Sequence, residues 1–228
     1  EYSLYSVNNQ IIEGFVSVGG GVRIGLCGEI VRENDGVKTI KNFSSLNIRI
    51  PHDVVGCSDK VMPKITVNEK VVNTLIVSAP GKGKTTMLRD LSRKLSDEDQ
   101  NVLIIDERNE ICAYNDGKPY FKTGKNCDVI TFGNKEFAFS YGIRTMSPDV
   151  IITDELMSEL DSDAVILAAA GGVKVIAGVH ARNLNELKSK GYLKKLLSSG
   201  LIGRYVFLSS ETIGTIKCVY DASFGKLL

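Results

Sequence analysis

A short apolar run, Leu75 to Val77, feeds a glycine-rich loop that ends in Gly83-Lys84-Thr85 and opens onto a segment, Thr85 to Leu95, with apolar residues at helical spacing. Few folds accept that order of buried strand, tight loop and helix. The glycines let backbone N–H groups turn inward, a lysine reaches the β and γ oxygens of a nucleotide, and a hydroxyl reaches magnesium. Pro80, Gly81, Lys82, Gly83, Lys84, Thr85 and Thr86 are therefore the candidate phosphate-binding residues of a Walker A type loop. Ser78 stands where the eight-residue pattern begins with Gly or Ala. A small residue still fits that turn, and the flanking strand and helix carry the reading.

The 228 residues give room for a substantial core and for one or two domains. Hydrophobic residues at 43% and charged residues at 24% are ordinary for a globular α/β protein of the cytosol. A net charge of +1 provides no general attraction to nucleic acid, and the densest basic cluster, Lys188, Lys190, Lys194 and Lys195, reads as a solvated helix face. The five cysteines lie far apart without a CxxC pair, so neither a zinc site nor a disulfide framework is indicated. Ala164 to Val179 is the longest apolar region, but Gly171, Gly172 and Lys174 interrupt it, and it reads as helix, turn and strand. The chain begins at Glu1 rather than at methionine, as expected of a fragment.

The first third differs in pattern from the rest. Between Phe15 and Ile50 the runs FVSV, VRIGLCGEIV, VKTI and LNIRI are separated by Gly19-Gly20-Gly21 and by the hairpin signal Asn34-Asp35-Gly36, which predicts a small antiparallel sheet. Pro51 to about Thr66 reads as a connection with a short helix. From Val71 onward strands and helices alternate: strands at Leu75–Val77, Val102–Asp106, Val129–Phe132, Val150–Asp154 and Val173–Val179, with helices to Leu95, through Arg144, and from Asp161 to Ala170. That rhythm predicts a largely parallel sheet flanked by helices, closed by strands at Arg204–Ser209 and Thr215–Tyr220. The boundary between an N-terminal, mainly β region and the α/β domain is expected at 66/67.

Hydrolysis needs a held magnesium and an aimed water in addition to a phosphate loop. Two strands end in acidic pairs, DVIITDE at Asp154-Glu155 and NVLIIDERNE at Asp106-Glu107, the second followed by Arg108. In a parallel sheet the strand C-terminal ends share one edge, where a ligand sits, so both pairs are expected there. Asp154 suits the magnesium shell and Glu155 a water; the plainer reading has strand-end carboxylates capping the next helices. His180 follows the strand VKVIAGV and is placed at the same edge as a phosphate sensor or water-positioning group. Arg144 is either an ordinary surface residue or an arginine that faces a neighbouring subunit's nucleotide.

With these residues in place the chain resembles the stage III sporulation protein AA family, ATPases of endospore-forming bacteria similar to those of type II and type IV secretion systems. The resemblance runs from Tyr2 to Leu208 and rests on YSLYS, GGGVRIGLCGEIV, VKTIKNFSSLNIRI, PGKGKTTMLRDLSRKLS, IIDERNEI, IRTMSPDVIITDE, GGVKVIAGVHA and GRYVFLS. It implies an α/β fold with a RecA-like P-loop NTPase core, preceded by a small antiparallel β region. It gives Asp106, Glu107 and Arg108 the place of the acidic box of secretion ATPases, His180 that of their histidine box, Arg144 that of the arginine before their acidic strand, and Asp154 and Glu155 that of their second acidic motif. After Glu155 this chain reads LMSEL, where family members generally carry a small residue and an arginine. The resemblance further implies ATP and Mg2+ as cofactors and a homo-oligomeric ring, a hexamer in the full-length protein. It implies a peripheral position at the cytoplasmic, mother-cell face of the forespore envelope, with docking on membrane proteins of the sporulation channel such as stage III sporulation protein AB. Two other classes are weighed beside this motor: a nucleotide-gated assembly module with little hydrolysis, and a nucleic-acid-dependent ATPase. A neutral charge and no basic stripe with interleaved aromatics count against the last.

Overall fold

The computed structural model describes residues 8, 10–12, 14–33, 36–50, 52–114, 118–131 and 134–228. The chain divides into two compact units, Glu1–His52 with Ala113–Tyr120, and Asp53–Cys112 with Phe121–Leu228. The division falls at 52/53, upstream of the 66/67 boundary expected from composition, and residues 113–120 join the first unit.

In the first unit β1 (Phe15–Val18), β2 (Val22–Glu33) and β3 (Gly36–Arg49) form an antiparallel sheet in chain order. A tight turn at Gly19–Gly21 joins β1 to β2, with Gly20 at φ 79°, a conformation glycine adopts without strain. Asn34 and Asp35 of the expected hairpin lie outside the described residues, as does the YSLYS block. VKTI and LNIRI belong to one long strand rather than two. Between them Asn42 takes φ 49° and the register with β2 shifts between Cys27 and Glu29, so a bulge replaces a turn.

The second unit opens with a short helix, α1 (Met62–Ile65), and a small hairpin of β4 (Thr66–Val67) and β5 (Lys70–Val71), which the sequence pattern did not indicate. Its seven-stranded sheet is built from β6 (Thr74–Ser78), β7 (Val102–Asp106), β8 (Cys127–Thr131), β9 (Val150–Thr153), β10 (Lys174–His180), β11 (Arg204–Leu208) and β12 (Ile216–Asp221). The spatial order is β12-β11-β6-β10-β9-β7-β8, and every neighbour pair is parallel except β11 with β12. Phe132, the expected end of β8, lies outside the described residues. The longer helices are α2 (Lys84–Asp97), α3 (Lys135–Met146) and α4 (Glu159–Ala170), followed by α5 (Leu184–Ser189) and α6 (Lys194–Ser198).

Residues of β6, β7 and β9 are buried throughout, as expected of central strands covered on both faces, which is why they read as unbroken apolar runs rather than alternating ones. Leu75, Val77, Leu103, Ile151, Val165, Val179 and Tyr205 belong to one contiguous core. A capping box opens α4: Ser158 Oγ accepts from Asp161 N–H while the Asp161 carboxylate accepts from Ser158 N–H. Of the basic cluster, Lys188, Lys194 and Lys195 are exposed and Lys190 is half-buried, with Lys195 paired to Asp163 at 2.6 Å and the Lys188 ammonium 3.9 Å from the centre of the Phe224 ring. No helix of the described residues is long and apolar enough to cross a membrane.

The strand order bears directly on the chemistry. β10 lies between the loop-bearing β6 and the acid-bearing β9, with His180 in register with Ser78 and Ala177 with Thr153. Three adjacent strand ends therefore contribute to one edge.

Candidate functional site

The loop after β6 turns through two left-handed glycines, Gly81 at φ 72° and Gly83 at φ 87°. Pro80 and Gly81 are exposed, while Lys82, Thr85 and Thr86 are half-buried around the first turn of α2. Gly83 is the cap residue of that helix and supplies no side-chain acceptor, and the first intrahelical bond runs from Met87 N–H to Gly83 C=O at 2.9 Å. The preceding N–H groups have no partner inside the helix, and the positive end of its dipole faces the loop, an arrangement suited to a phosphate anion. A Cβ built on Gly81 would meet open space, so the loop's outer side is clear for a ligand. The Lys82 carbonyl accepts from Gly214 N–H at 3.3 Å, which ties the connection between β11 and β12 to the loop.

Lys84 is buried, and its ammonium donates to the Asp154 carbonyl at 3.1 Å. Burial pulls its pKa down, with Glu155 and Asp154 opposing. The approach of Lys84 to the end of β9 passes over Gly178 of β10. A Cβ there would lie 1.8 Å from the Asp154 carbonyl oxygen and 2.9 Å from Lys84 Nζ. Gly178 is thus part of the site, and the sequence carried a signal for it, since a glycine inside a strand marks close approach of another backbone.

Glu155 sits between two groups from other strands. Its Oε2 is 3.5 Å from His180 Nε2 and 3.6 Å from Arg108 Nη1. His180 Nδ1 is 3.1 Å from the Ser78 carbonyl, so the ring bridges the end of the phosphate-loop strand and the glutamate. Arg108 Nη2 also reaches Met157 Sδ at 3.2 Å, in the LMSEL segment that follows Glu155. Glu107 pairs at 2.6 Å with Lys135, whose ammonium also lies 3.4 Å from Asp154 Oδ1. Lys135, the first residue of α3, was not singled out from the sequence. Burial alone would lower its pKa, but Asp154 and Glu107 outweigh that and raise it.

Asp106 does not face the phosphate loop with the other acids. It is fully buried and accepts backbone N–H bonds from Glu110, Ile111 and Cys112 at 2.8, 2.9 and 2.9 Å, a role in shaping the loop that carries Glu107 and Arg108. Arg89 of α2 supports the same loop from the other side: its guanidinium donates to the carbonyls of Ile111 at 2.5 Å and Glu110 at 2.8 Å, and lies 3.8 Å from the centre of the Phe121 ring. Arg144 is away from this edge. α3 starts at Lys135 beside the acids and runs toward the start of β9, so Arg144 lies about 13 Å down the helix at 1.5 Å per residue. It is exposed, and its Nε donates to the Ser140 carbonyl at 3.0 Å.

The structure thus gathers Lys84, Thr85, Asp154, Glu155, Glu107, Arg108 and His180 around one sheet edge and leaves Arg144 outside it. The donor set fits a magnesium nucleotide: an uncapped helix N-terminus and a lysine for phosphate, and a buried carboxylate beside the helix that bears the threonine.

Comparison with known proteins gives the family and the fold. Residues 1–227 match the family described as Sporulation stage III, protein AA. The chain is 37% identical over 226 residues to Stage III sporulation protein AA of Bacillus subtilis, covering 96% of this chain and 73% of that protein. It is 31% identical over 163 residues to an uncharacterized ycf45 protein of Cyanidium caldarium, covering 68% of this chain and 46% of the relative. Among solved structures it is similar to the pilus retraction motor PilT with bound ADP, with TM-score 0.57, 16% identity, and coverage of 89% of this chain and 62% of that one. It is also similar to the Legionella pneumophila ATPase DotB, with TM-score 0.52, 16% identity, and coverage of 89% and 60%. The chain spans under two thirds of each of those ATPases, and at that identity the likeness establishes the fold. With its α/β sheet, its phosphate-loop strand and helix and its small antiparallel sheet, and matched along nearly its whole length, this chain belongs to the Sporulation stage III, protein AA family.

Proposed function

We propose that this chain is the ATP-binding and ATP-hydrolysing part of a ring-forming motor that serves a sporulation channel between mother cell and forespore. The observation that carries the reading is the meeting of Lys84, Asp154, Glu155, His180 and Arg108 across the ends of β6, β7, β9 and β10. ATP would supply the phosphoryl group, and magnesium, when bound, would supply positive charge against the phosphates. Lys84 and the N–H groups of Gly81 to Thr85 hold the β and γ phosphates, flanked by Pro80, Lys82 and Thr86. Thr85 and Asp154 would hold the metal. Glu155, fixed by His180 and Arg108, aims the attacking water, and Glu107 shares that task. Arg108 supplies beside Met157 the positive charge that the LMSEL segment lacks. Arg144, on the far side of α3, serves a neighbouring subunit's nucleotide, which is why a ring completes the site.

The ring, a hexamer in the full-length protein, docks peripherally on membrane proteins such as stage III sporulation protein AB, at the cytoplasmic face on the mother-cell side. Nucleic acid is not part of this reading.

The test is magnesium-dependent ATP hydrolysis measured against protein concentration, with Glu155→Gln alongside and oligomer mass followed in parallel. Turnover that rises with assembly and disappears in the variant is the expected result. Tight ATP binding without Glu155-dependent turnover, in assembled protein, would instead establish a nucleotide-gated scaffold.

A further inference from the structure

Lys135 is out of place by the ordinary rules. It carries a positive charge into the first turn of a helix, where the dipole disfavours cations, and its side chain is only 2% exposed although lysine is among the residues least often buried. The structure shows what holds it there. Its ammonium is 2.6 Å from Glu107 Oε2, beyond the end of β7, and 3.4 Å from Asp154 Oδ1, beyond the end of β9. These strands are neighbours, with Ile105 in register with Thr153, so one cation spans both strand ends. The other lysine of the site is occupied differently: Lys84 reaches the backbone carbonyl of Asp154 and leaves the carboxylate to Lys135. Glu155 keeps only looser contacts, at 3.5 and 3.6 Å.

We propose that Lys135 is a positioning residue of the nucleotide site: its ammonium ties the Glu107 and Asp154 carboxylates together and offsets their charge. Triphosphate can then approach them, and Glu155, which Lys135 does not hold, carries the larger share of directing water. The inference rests on the functional reading above. Removing the cation leaves two carboxylates facing a polyanion at short range, a repulsion that bound magnesium relieves and a chelator exposes.

The test compares wild type, Lys135→Met and Lys135→Arg, first for binding of a fluorescent ATP analogue in magnesium and in EDTA, then for kcat and KM. Far-UV circular dichroism and thermal unfolding establish that each variant is folded. Lys135→Met is expected to bind at least about tenfold more weakly in EDTA, with a smaller loss in magnesium and a lower half-saturating magnesium concentration. Its kcat falls by about a hundredfold while KM for the magnesium nucleotide stays within about threefold, as for loss of an aligned group. Lys135→Arg recovers the EDTA binding and part of kcat. A folded Lys135→Met with wild-type binding in EDTA and wild-type kcat overturns the inference and leaves the nucleotide site standing. A loss of binding equal in magnesium and EDTA, unrelieved by arginine, also overturns it, as the mark of a structural role. A wild-type protein that binds no ATP analogue overturns the functional reading and this inference together.

Discussion

Replacing Gly178 by alanine tests the geometry of the site with a single methyl group. The added carbon would start 1.8 Å from the Asp154 carbonyl oxygen, and real Cβ contacts keep at least 3.0 Å, so the end of β9 must retreat by about 1.2 Å or β10 must move as far the other way. Neither strand is free to do so. β10 is hydrogen-bonded to β6 and β9 on its two sides, and Leu156 N–H is bonded to the Gly178 carbonyl at 2.9 Å. The same methyl would sit 2.8 Å from Lys84 Cδ and push the ammonium off the Asp154 carbonyl. Overpacking a closed core costs about 1–3 kcal/mol, and a backbone clash belongs at the upper end. A shift of about 1 Å at a catalytic group costs on the order of a hundredfold in rate. Urea unfolding and ATP turnover of Gly178→Ala measure the two effects, with Gly191→Ala as a control. No atom lies within 4 Å of a Cβ at Gly191, so the control should change stability by less than about 0.5 kcal/mol. A Gly178→Ala protein as stable and as active as wild type would refute the close approach of Lys84 over β10.

Lys84→Ala should abolish turnover, since loss of one preorganised charge contact costs on the order of 3 kcal/mol in a transition state; unchanged hydrolysis in a clean preparation would mean the phosphates bind elsewhere. Arg89→Met leaves the Glu110 and Ile111 carbonyls without their donor and should destabilise by about 3 kcal/mol in urea unfolding. Turnover of the folded fraction should fall too, because the loop bearing Glu107 and Arg108 loosens; a loss of stability with full activity would separate that loop from the chemistry. Burial pushes the Asp106 carboxyl up to about 6, with three backbone N–H donors opposing and the Asp154 charge adding. The pKa is raised on folding, so this group's favourable contribution is complete below about 3.8 and is lost as pH rises through about 6. At about 1.4 kcal/mol per pKa unit the loss is about 3 kcal/mol across that window. Carbon-detected NMR titration of Asp106 should show a midpoint near 6, and a midpoint at or below 4 would contradict the assignment.

The legible parts of the fold were those whose pattern comes from burial. Strands β6, β7 and β9 are closed on both faces, so their sequences are unbroken apolar runs bounded by turns, and their positions could be read directly. Among the helices α2 carries apolar residues at helical spacing, whereas α4 begins at Glu159 behind its Ser158 capping box, two residues before the Asp161 expected as its start. The hairpin of β4 and β5 has two residues per strand, too few for any period to appear. The bend within β3 looks like a break in the sequence because Asn42 and the register shift interrupt alternation in the same way as a turn. Strand order was not legible either, since β10 enters between β6 and β9 only through tertiary packing.

At the site, residue type and strand-end position were enough to bring candidates to one edge but not to divide labour among them. Asp106 and Asp154 both end buried apolar strands and both precede a glutamate, yet one folds a loop and the other faces the lysines. The path of the chain beyond each aspartate makes the difference. After Asp106 the chain turns back so that three successive N–H groups, from Glu110 to Cys112, point at the carboxylate and consume it. After Asp154 the chain leaves the edge through Leu156, bonded to Gly178, and one carboxylate oxygen takes the next residue's N–H while Lys135 approaches from a helix that begins beyond β8. Arg144 shows the converse, a residue with the right chemistry carried to the wrong end of its helix by nine positions of rise. In the proposed ring a second subunit would bring its nucleotide to this charge, whereas in a lone chain Arg144 is the ordinary surface residue that its exposure and its bond to the Ser140 carbonyl describe.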